Sequence, residues 1–505
     1  MQQMNPVNRI NFYRWVGAMV LVRLAVGLFL CLSLVPLSID DYFRIFHALW
    51  WWDHPSFTSS YVWLPGHQYV YGVLVGLSGD AVLAPRLLTL ALHLASGILF
   101  IKSIRSSDKA RLIVLAVFYF SPLSLVLGTF PLTESLAMFY LAMHLFALSR
   151  FHDTHRIVWL LYSSAALLLV CTVRYELWIL LAAYPFLARR SRATDAGPLL
   201  QWSVVFLPVI FPVVWILHGL ANPDGCFAFL RGTTEDHLGP GSVSDVATSY
   251  WGIISIAQIL AVLLFSFFKH QQRVRVFSRA PSLYMIVLLA ELIAVMLLNT
   301  LPSQFAERVL YGPVLLSAIL AGELLSTANK PLVAGVLCLA GVSCICSATV
   351  AIVHPQTMDL ANYDAAMFVD SRYRNGQLGD DDHVIVSKQL PDSTAILIFG
   401  NKLDNIHIDG MRKGCGPLFL TEYAPICALP PWANEVQLVV TWKTGNEEAY
   451  MKTLGWSQEM ETDNWTIWRR PANTTFPIKD KEMHPMEKAF EEWKSIRMPK
   501  EAPND

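Results

Sequence analysis

The chain has 505 residues, of which 54% are hydrophobic and only 15% are charged, and its formal net charge is −1. This composition is too apolar for a soluble globular protein, and the absence of a basic stripe or arm argues against nucleic-acid binding. The eight cysteines form no C-x-x-C pattern, so no metal site of that kind is expected. These features predict an integral membrane protein.

Apolar segments recur before residue 353, each about long enough to cross a ~30 Å hydrocarbon core as a helix. The apolar segment at 67–78 is shorter, so it is expected to form a re-entrant or interfacial helix. We predict a polytopic α-helical protein with about eleven spans. The spans lie at 16–36, 82–103, 110–127, 133–149, 157–173, 174–189, 200–219, 250–268, 281–300, 307–325 and 331–353.

Positive charge identifies the cytoplasmic loops, because short cytoplasmic loops are enriched in lysine and arginine. The basic residues that fall on one predicted face are Arg9, Arg14, Lys102, Arg105, Lys109, Arg111, Arg150, Arg156, Arg189, Arg190, Arg192, Lys269, Arg273, Arg275 and Arg279. The opposite, outer face receives the loops 40–67, 128–134, 173–176, 222–250 and 301–308 and the C-terminal tail. Few positive charges lie on this outer face.

The division into domains is predicted at 353/354, with a membrane catalytic domain at 1–353 and a soluble α+β domain at 354–505. Strand patterns begin at His383, Thr394, Val436 and Trp465, and residues 447–454 favour a helix. The end of the chain, from residue 479, is rich in Lys, Glu and Pro and is expected to be loosely ordered. Cys415 and Cys427 lie in the tail, where a disulfide is an option if the tail faces an oxidising compartment.

Two adjacent carboxylates, Asp40 and Asp41, open the first outer loop within the sequence SIDDYFR. One carboxylate can accept a proton from an attacking hydroxyl or amine while its neighbour holds a cation or orients the first. The alternative is that Asp40 caps a helix at 42–52. The dipeptide alone leaves both interpretations open.

The rest of this loop is aromatic and amphipathic, and it contains three consecutive tryptophans at 50–52 and His67. The tryptophans suit a helix lying at the membrane surface. His67 has either a structural or a substrate-binding role.

Further charged residues lie at the outer ends of predicted spans. Glu134 begins one span, where it either interacts with the helix N-terminus or takes part in a site. Arg174 and Glu176 interrupt a long apolar run at a hairpin turn, as either an internal ion pair or a phosphate- and hydroxyl-binding pair. Arg308 and Tyr311 begin another span, and Arg308 either extends to the interface or neutralises a lipid-linked phosphate.

These segments place acids or arginines on the same predicted face, next to an interfacial aromatic helix. Such a site suits a substrate with a lipid tail in the bilayer and a phosphate at the surface. A transporter or flippase of a lipid-linked sugar has similar needs. Transporters usually place ionisable residues near the midplane, however, whereas here they gather at one rim.

The motifs resemble those of the GT-C glycosyltransferases, especially the protein O-mannosyltransferase and aminoarabinose transferase superfamily (glycosyltransferase family 39-like). The acidic pair of SIDDYFR resembles the family's acidic pair in the first outer loop, with Asp41 standing where the family has Glu. The other matching segments, in the family's order, are WLPGHQYVYG, PLTESLAMFY, VRYELW and ERVLYGPVLLSAILAG. The residue at His67 differs in many members, and the departures leave the sugar and the acceptor open.

The resemblance implies transfer of a hexosyl or pentosyl group from a polyprenyl-phosphate donor to a lipid, glycan or protein acceptor on the outer face, with inversion. Asp40 would be the general base, and Asp41 and Glu134 would orient substrate or hold Mg²⁺ or Mn²⁺, although the resemblance leaves metal dependence open. Arg174 and Arg308 would stabilise charge on the departing lipid phosphate. Substrate-binding roles are expected for His67, Glu134, Arg174, Glu176, Arg308 and Tyr311. A bacterial inner membrane is the favoured location, with the endoplasmic reticulum second.

Overall fold

The computed structural model divides the chain into two compact units, Met1–Thr357 and Met358–Asp505. The structure describes residues 6–32, 39–58, 63–104, 107–189, 197–220, 255–260, 284, 286–288, 290, 310–314 and 316–318 of the first unit. In the second unit it describes residues 365, 368–369, 371–373, 375–379, 381–386, 406–408, 436–443, 448, 451–452, 455–461 and 465–472. Several expectations lie outside these residues: Arg308, Cys415, Cys427, the strand at 394 and the loosely ordered end.

The first unit is built from helices. Their bounds are α1 Pro6–Leu32, α2 Ile39–Asp53, α3 Gly66–Ser78, α4 Leu83–Ser103, α5 Asp108–Phe120, α6 Pro122–Leu127, α7 Thr133–Thr154, α8 Ile157–Cys171, α9 Leu180–Ala188, α10 Pro198–Phe206 and α11 Ile210–Leu220. Short 3₁₀ turns at Tyr175–Ile179 and Leu207–Val209 precede α9 and α11. Three helical segments of the described part are long and apolar enough to cross a membrane: Asn11–Leu32, Leu83–Ser103 and Pro198–Leu220.

The helix ends follow from local sequence. Ser107 caps α5 by accepting a hydrogen bond from the Ala110 N–H at 3.3 Å. Asp80 Oδ1 accepts from the Val82 and Leu83 N–H groups, at 2.8 Å each, before α4. Gly79 ends α3 in the left-handed conformation, with φ of 65°, which glycine adopts without steric cost. These polar residues stop the apolar helices and reverse the chain.

The helices pack in a bundle in which α4 contacts α1, α3, α5 and α7, while α7 also contacts α8. A close approach of α4 and α5 depends on Gly97, because a Cβ there would lie 2.4 Å from Tyr119 Cε1. Tyr119 Oη donates a hydrogen bond to the Leu94 carbonyl oxygen at 2.6 Å across the same contact. Small residues that allow close backbone approach are typical of helix interfaces in membranes.

The second unit contains a five-stranded sheet. Its strands are β1 His383–Val386, β2 Ile406–Ile408, β3 Val436–Trp442, β4 Ser457–Glu461 and β5 Trp465–Arg469. The order is β2-β1-β3-β5-β4; β1 is parallel to β2 and β3, and β5 is antiparallel to β3 and β4. One face is packed by a buried cluster that includes Ile385, Val439, Met451 and Trp468. The sheet is therefore mixed, and these buried apolar side chains give the second unit a hydrophobic core.

Several sequence predictions match these elements. Strands begin at three of the predicted positions, His383, Val436 and Trp465, whereas β2 and the polar strand β4 were not predicted. The short apolar segment at 67–78 forms the 13-residue helix α3. The count of eleven spans and the functional labels of the two domains stay predictions.

One alternative from the sequence is wrong. This alternative makes Asp40 the cap of a helix at 42–52, but Asp40 is itself a helical residue of α2. Asp40 and Asp41 therefore lie inside the described helix and not at the flanking position that a capping residue takes.

Candidate active site

Three chain segments meet at one end of the helix bundle: the start of α3, the turn before α7, and the hairpin turn between α8 and α9. Backbone groups join them directly. The Gly66 N–H donates to the Thr172 carbonyl oxygen at 2.8 Å, and His67 Nε2 lies 2.8 Å from the Pro131 carbonyl oxygen. These segments are separated by 40 residues or more in the sequence, so this meeting is a product of tertiary structure.

The centre of this region is an ion cluster of Glu134, Arg174 and Glu176, here called the Glu–Arg–Glu cluster. Arg174 Nη1 forms an ion pair with Glu134 Oε1, and Arg174 Nη2 with Glu176 Oε1. Arg174 Nε also donates to Glu176 Oε2 at 3.1 Å. The fork of the guanidinium thus binds two carboxylates at once, a geometry that arginine provides and lysine does not.

Burial differs across the cluster. The side chain of Glu134 is 1% exposed, that of Arg174 is 10% exposed and that of Glu176 is 38% exposed. One positive and two negative charges leave the cluster with a negative excess. The buried carboxylate of Glu134 needs a cationic partner such as Arg174, since removing an ion from water costs several kcal/mol.

Thr133 completes the polar contacts. Arg174 Nη1 donates to Thr133 Oγ1 at 3.1 Å, and the Thr133 hydroxyl donates to Glu134 Oε2 at 3.4 Å. Thr133 is 2% exposed. Thr133 is not among the site residues predicted from the sequence, although it directly precedes Glu134 at the start of α7.

His67 is buried beside this cluster, with 2% of its surface exposed. Its ring stacks on Tyr71 with centroids 4.2 Å apart, and Tyr71 Oη lies 2.7 Å from Thr89 Oγ1. The Pro131 carbonyl can only accept a hydrogen bond, so His67 Nε2 is the protonated nitrogen. Of the two roles open for His67, these contacts support the structural one.

Tyr311 lies in a different buried network. Its hydroxyl is 3.2 Å from His93 Nδ1 and 3.5 Å from Ser124 Oγ, and the residue is 1% exposed. Tyr311 therefore links its segment to α4 and α6. It is not part of the Glu–Arg–Glu cluster.

The structure describes the backbone of Asp40 and Asp41 in α2, and their side chains lie outside the description. Further along the same helix, the guanidinium of Arg44 lies 4.8 Å from the ring centroid of Trp63. Arg44 is 7% exposed. This contact fixes the returning loop against α2, the helix that carries the acidic pair.

Glu134 is the described member of the predicted Asp41–Glu134 cation site. One oxygen of its carboxylate is paired with Arg174 and the other accepts a hydrogen bond from Thr133. Among the residues that the structure describes, no group of three His, Cys, Asp or Glu side chains is arranged to hold a metal. The side chain of Asp41 lies outside the described residues, so the Asp41–Glu134 metal site stays a prediction, and no step of the reaction is assigned to a metal.

Two buried arginines, Arg23 and Arg86, are not among the residues predicted from the sequence. Arg23 Nη2 donates to the Leu125 carbonyl oxygen at 3.1 Å and to Thr129 Oγ1 at 3.2 Å. Arg86 Nη1 donates to the Cys31 carbonyl oxygen at 3.4 Å. The signal was present, because an arginine within an apolar run is costly unless it faces the bundle interior.

Comparisons with known proteins give a match at the level of the fold. No family model and no curated protein matches the sequence. The structure is similar to that of ArnT from Cupriavidus metallidurans bound to undecaprenyl phosphate, with a TM-score of 0.63 and 14% identity over 92% of this chain and 99% of that chain. The apo structure of the same protein gives a TM-score of 0.61 with the same identity and coverage. The chain therefore shares the fold of ArnT, in agreement with the resemblance seen in the motifs.

Proposed function

We propose that this chain is a membrane glycosyltransferase that transfers a sugar from a polyprenyl-phosphate donor to an acceptor on the outer face of the membrane. The observation that carries the proposal is the Glu–Arg–Glu cluster, which gathers the two charged motifs PLTES and VRYELW at one end of the bundle. Support for the donor comes from ArnT, which has the same fold and binds undecaprenyl phosphate.

In the proposed reaction, Asp40 accepts a proton from the acceptor hydroxyl or amine as that group attacks the anomeric carbon. The attack comes from the side opposite to the phosphate, so the configuration inverts. The bond between the anomeric carbon and the phosphate oxygen breaks, and the polyprenyl phosphate leaves with its electron pair. Asp41 orients the acceptor beside the base.

The arginines have separate proposed roles. Two carboxylates already share Arg174, so its part is to fix Glu134 and Glu176 rather than to bind phosphate alone. Glu134 and Glu176 accept hydrogen bonds from substrate hydroxyl groups. Arg308 stabilises the charge on the leaving phosphate, which is a charge-assisted contact worth about 1.5–3 kcal/mol.

A flippase or transporter remains the alternative from a different class. It requires ionisable residues along a pathway through the bilayer, commonly near the midplane. The Glu–Arg–Glu cluster lies instead at the ends of α7 and α8. The placement favours a reaction at the membrane surface.

The test uses the purified full chain in liposomes with a panel of radiolabelled polyprenyl-phosphate sugars and candidate acceptors. Asp40→Asn preserves side-chain size and is expected to lower kcat by about 10²–10⁴, the usual contribution of a general base. Asp153→Asn is the matched control, because Asp153 is exposed at the end of α7 on the predicted cytoplasmic side.

The outcomes separate the hypotheses. Transfer by the wild-type protein and by Asp153→Asn, but not by Asp40→Asn, supports the proposal. Near-normal kcat in a folded Asp40→Asn protein overturns the assignment of the base. Movement of labelled donor across the bilayer without transfer to any acceptor supports the flippase instead.

A further inference from the structure

The start of α3 contacts both turns that carry the Glu–Arg–Glu cluster. Gly66 binds the backbone of Thr172, two residues before Arg174, and His67 binds the backbone of Pro131, three residues before Glu134. Two consecutive residues of one helix thus contact two segments that are distant in sequence. The separation between these segments depends on α3.

The contact at Gly66 leaves no room for a side chain. A Cβ there would lie 2.3 Å from Thr172 Oγ1 and 2.8 Å from the Thr172 carbonyl oxygen. The hairpin turn therefore rests directly on the α3 backbone. Any shift of α3 would be transmitted to Arg174 without a flexible side chain in between.

The contact at His67 is held from both sides. Its ring stacks on Tyr71 at 4.2 Å with an interplanar angle of 21°, and Tyr71 is fixed to α4 through Thr89 at 2.7 Å. Thr89 in turn donates to the Pro85 carbonyl oxygen at 2.8 Å. The imidazole is thus locked in one orientation, with Nε2 directed at the Pro131 carbonyl oxygen.

We propose that His67 is a positioning residue for the transfer reaction. Its Nε2–H holds the Pro131 carbonyl and thereby fixes the start of α7, so that Glu134 meets both Arg174 and the substrate. This inference rests on the proposed function. His67 then acts through Glu134 and does not touch the substrate.

Small displacements matter at such a site, because a misplacement of about 1 Å can cost on the order of 100-fold in rate. The hydrogen bond to Pro131 joins His67 directly to the turn before α7. Loss of this hydrogen bond is expected to lower kcat rather than to raise the KM for the sugar donor. A misplaced Glu134 would weaken its hydrogen bond to the substrate mainly in the transition state.

Two substitutions at His67 distinguish the contribution of its hydrogen-bonding N–H group from that of its aromatic ring. His67→Phe keeps an aromatic ring on Tyr71 but removes the N–H, whereas His67→Gln removes the ring but places an N–H donor near the position of Nε2. We expect His67→Phe to lower kcat by about 10- to 100-fold with donor KM within about twofold. His67→Gln is expected to keep kcat within about threefold of wild type.

Tyr119→Phe is the matched control, because it also removes one side-chain hydrogen bond from a buried residue to a backbone carbonyl, at Leu94. It is expected to reduce thermal stability to a similar extent without lowering kcat. A purely structural role for His67 predicts that His67→Phe behaves in the same way as this control.

A double-mutant cycle with Glu134→Gln tests whether His67 acts through Glu134. If it does, His67→Phe lowers kcat by less than about twofold in the Glu134→Gln background, since the two effects are not additive. A full additional loss in that background overturns the inference. So does a folded His67→Phe protein with the kcat of wild type.

If His67→Phe does not fold, the pair His67→Gln and His67→Asn replaces it. Asn is one methylene shorter and cannot reach Pro131, so it is expected to lose activity where Gln keeps it; equal activity of the two overturns the inference. Failure of the proposed function can be distinguished from failure of this inference. In that case the wild-type protein transfers no sugar from any polyprenyl-phosphate donor, whereas failure of this inference alone leaves wild-type transfer intact.

Discussion

Arg174 is the residue on which the site depends most directly. It lies between a carboxylate that is almost completely buried, Glu134, and one that is partly exposed, Glu176. In a buried pair, the loss of one partner leaves an uncompensated charge, which costs more than the pair itself contributes. The effects of substituting Arg174 and Glu134 on stability are therefore expected to be strongly non-additive.

Arg174→Ala is expected to destabilise the protein by about 3–5 kcal/mol, because Glu134 becomes a buried carboxylate without its guanidinium. Adding Glu134→Gln should restore most of this stability, since the uncompensated charge is removed, but it should not restore transfer. Thermal unfolding in one detergent, together with the transfer assay, measures both effects.

The control for this prediction is Arg111→Ala. Arg111 pairs with Asp108 at 3.3 Å, but the two side chains are 30% and 22% exposed. Partly exposed pairs contribute about 0–1 kcal/mol. Equal losses of stability for Arg174→Ala and Arg111→Ala would show that the burial of Glu134 does not determine the cost.

Arg23 and Arg86 show a second use of arginine at the residue scale. Each donates to a carbonyl oxygen in the last turn of a helix: Leu125 of α6 for Arg23 and Cys31 of α1 for Arg86. Carbonyl groups in a last turn have no intrahelical donor, and a cation there interacts favourably with the helix dipole. These contacts satisfy part of the hydrogen-bonding capacity of two arginines that lie among apolar helices.

At the scale of elements, α4 depends on a polar start. Asp80 accepts from two backbone N–H groups before the first helical turn. Asp80→Ala is expected to lower stability by about 0.5–2 kcal/mol, the usual loss for such a contact at a helix start. Asp80→Asn keeps an acceptor oxygen and should stay close to wild type. The unfolding midpoint of the full chain checks this, and equal midpoints for Ala and Asn would contradict it.

The elements also show what local patterns predict well. Long apolar runs with polar or glycine ends predicted α4, α7 and α8 closely. The strands β1, β3 and β5 were predicted because they are rich in β-branched and aromatic residues, but β4 has the sequence SQEME. It forms because it pairs with the edge of β5, which no local pattern reveals.

At the scale of the whole molecule, the charge asymmetry of the loops predicts which face carries the site. Thr154→Cys, at the end of α7, is expected to be protected from an impermeant external thiol reagent in intact cells, whereas Ser78→Cys, at the end of α3, is expected to react. Both positions are at exposed helix ends. Labelling of both variants, with the wild-type chain as background, gives the measurement, and the opposite pattern would invert the topology.

The sequence by itself determined that the chain is a helical membrane protein with a strand-containing tail, because lipid as a solvent demands long apolar segments and a soluble tail demands alternating ones. It also indicated Glu134, Arg174 and Glu176 as candidate site residues through motifs with a recognisable order. Hydrophobic periodicity and loop charge are local properties of the sequence, so they can be recognised without knowledge of the fold.

Only the tertiary structure decided how these residues are used. Arg174 and Glu134 are 40 residues apart, and His67 and Pro131 are 64 apart. Whether Arg174 is available for phosphate or is shared between two carboxylates, and whether His67 meets substrate or a backbone carbonyl, depends on which helix ends pack together. The sequence supplies the charged groups, but burial and packing determine which of them pair. The free-energy cost of an unpaired buried charge depends on the surroundings that the fold creates.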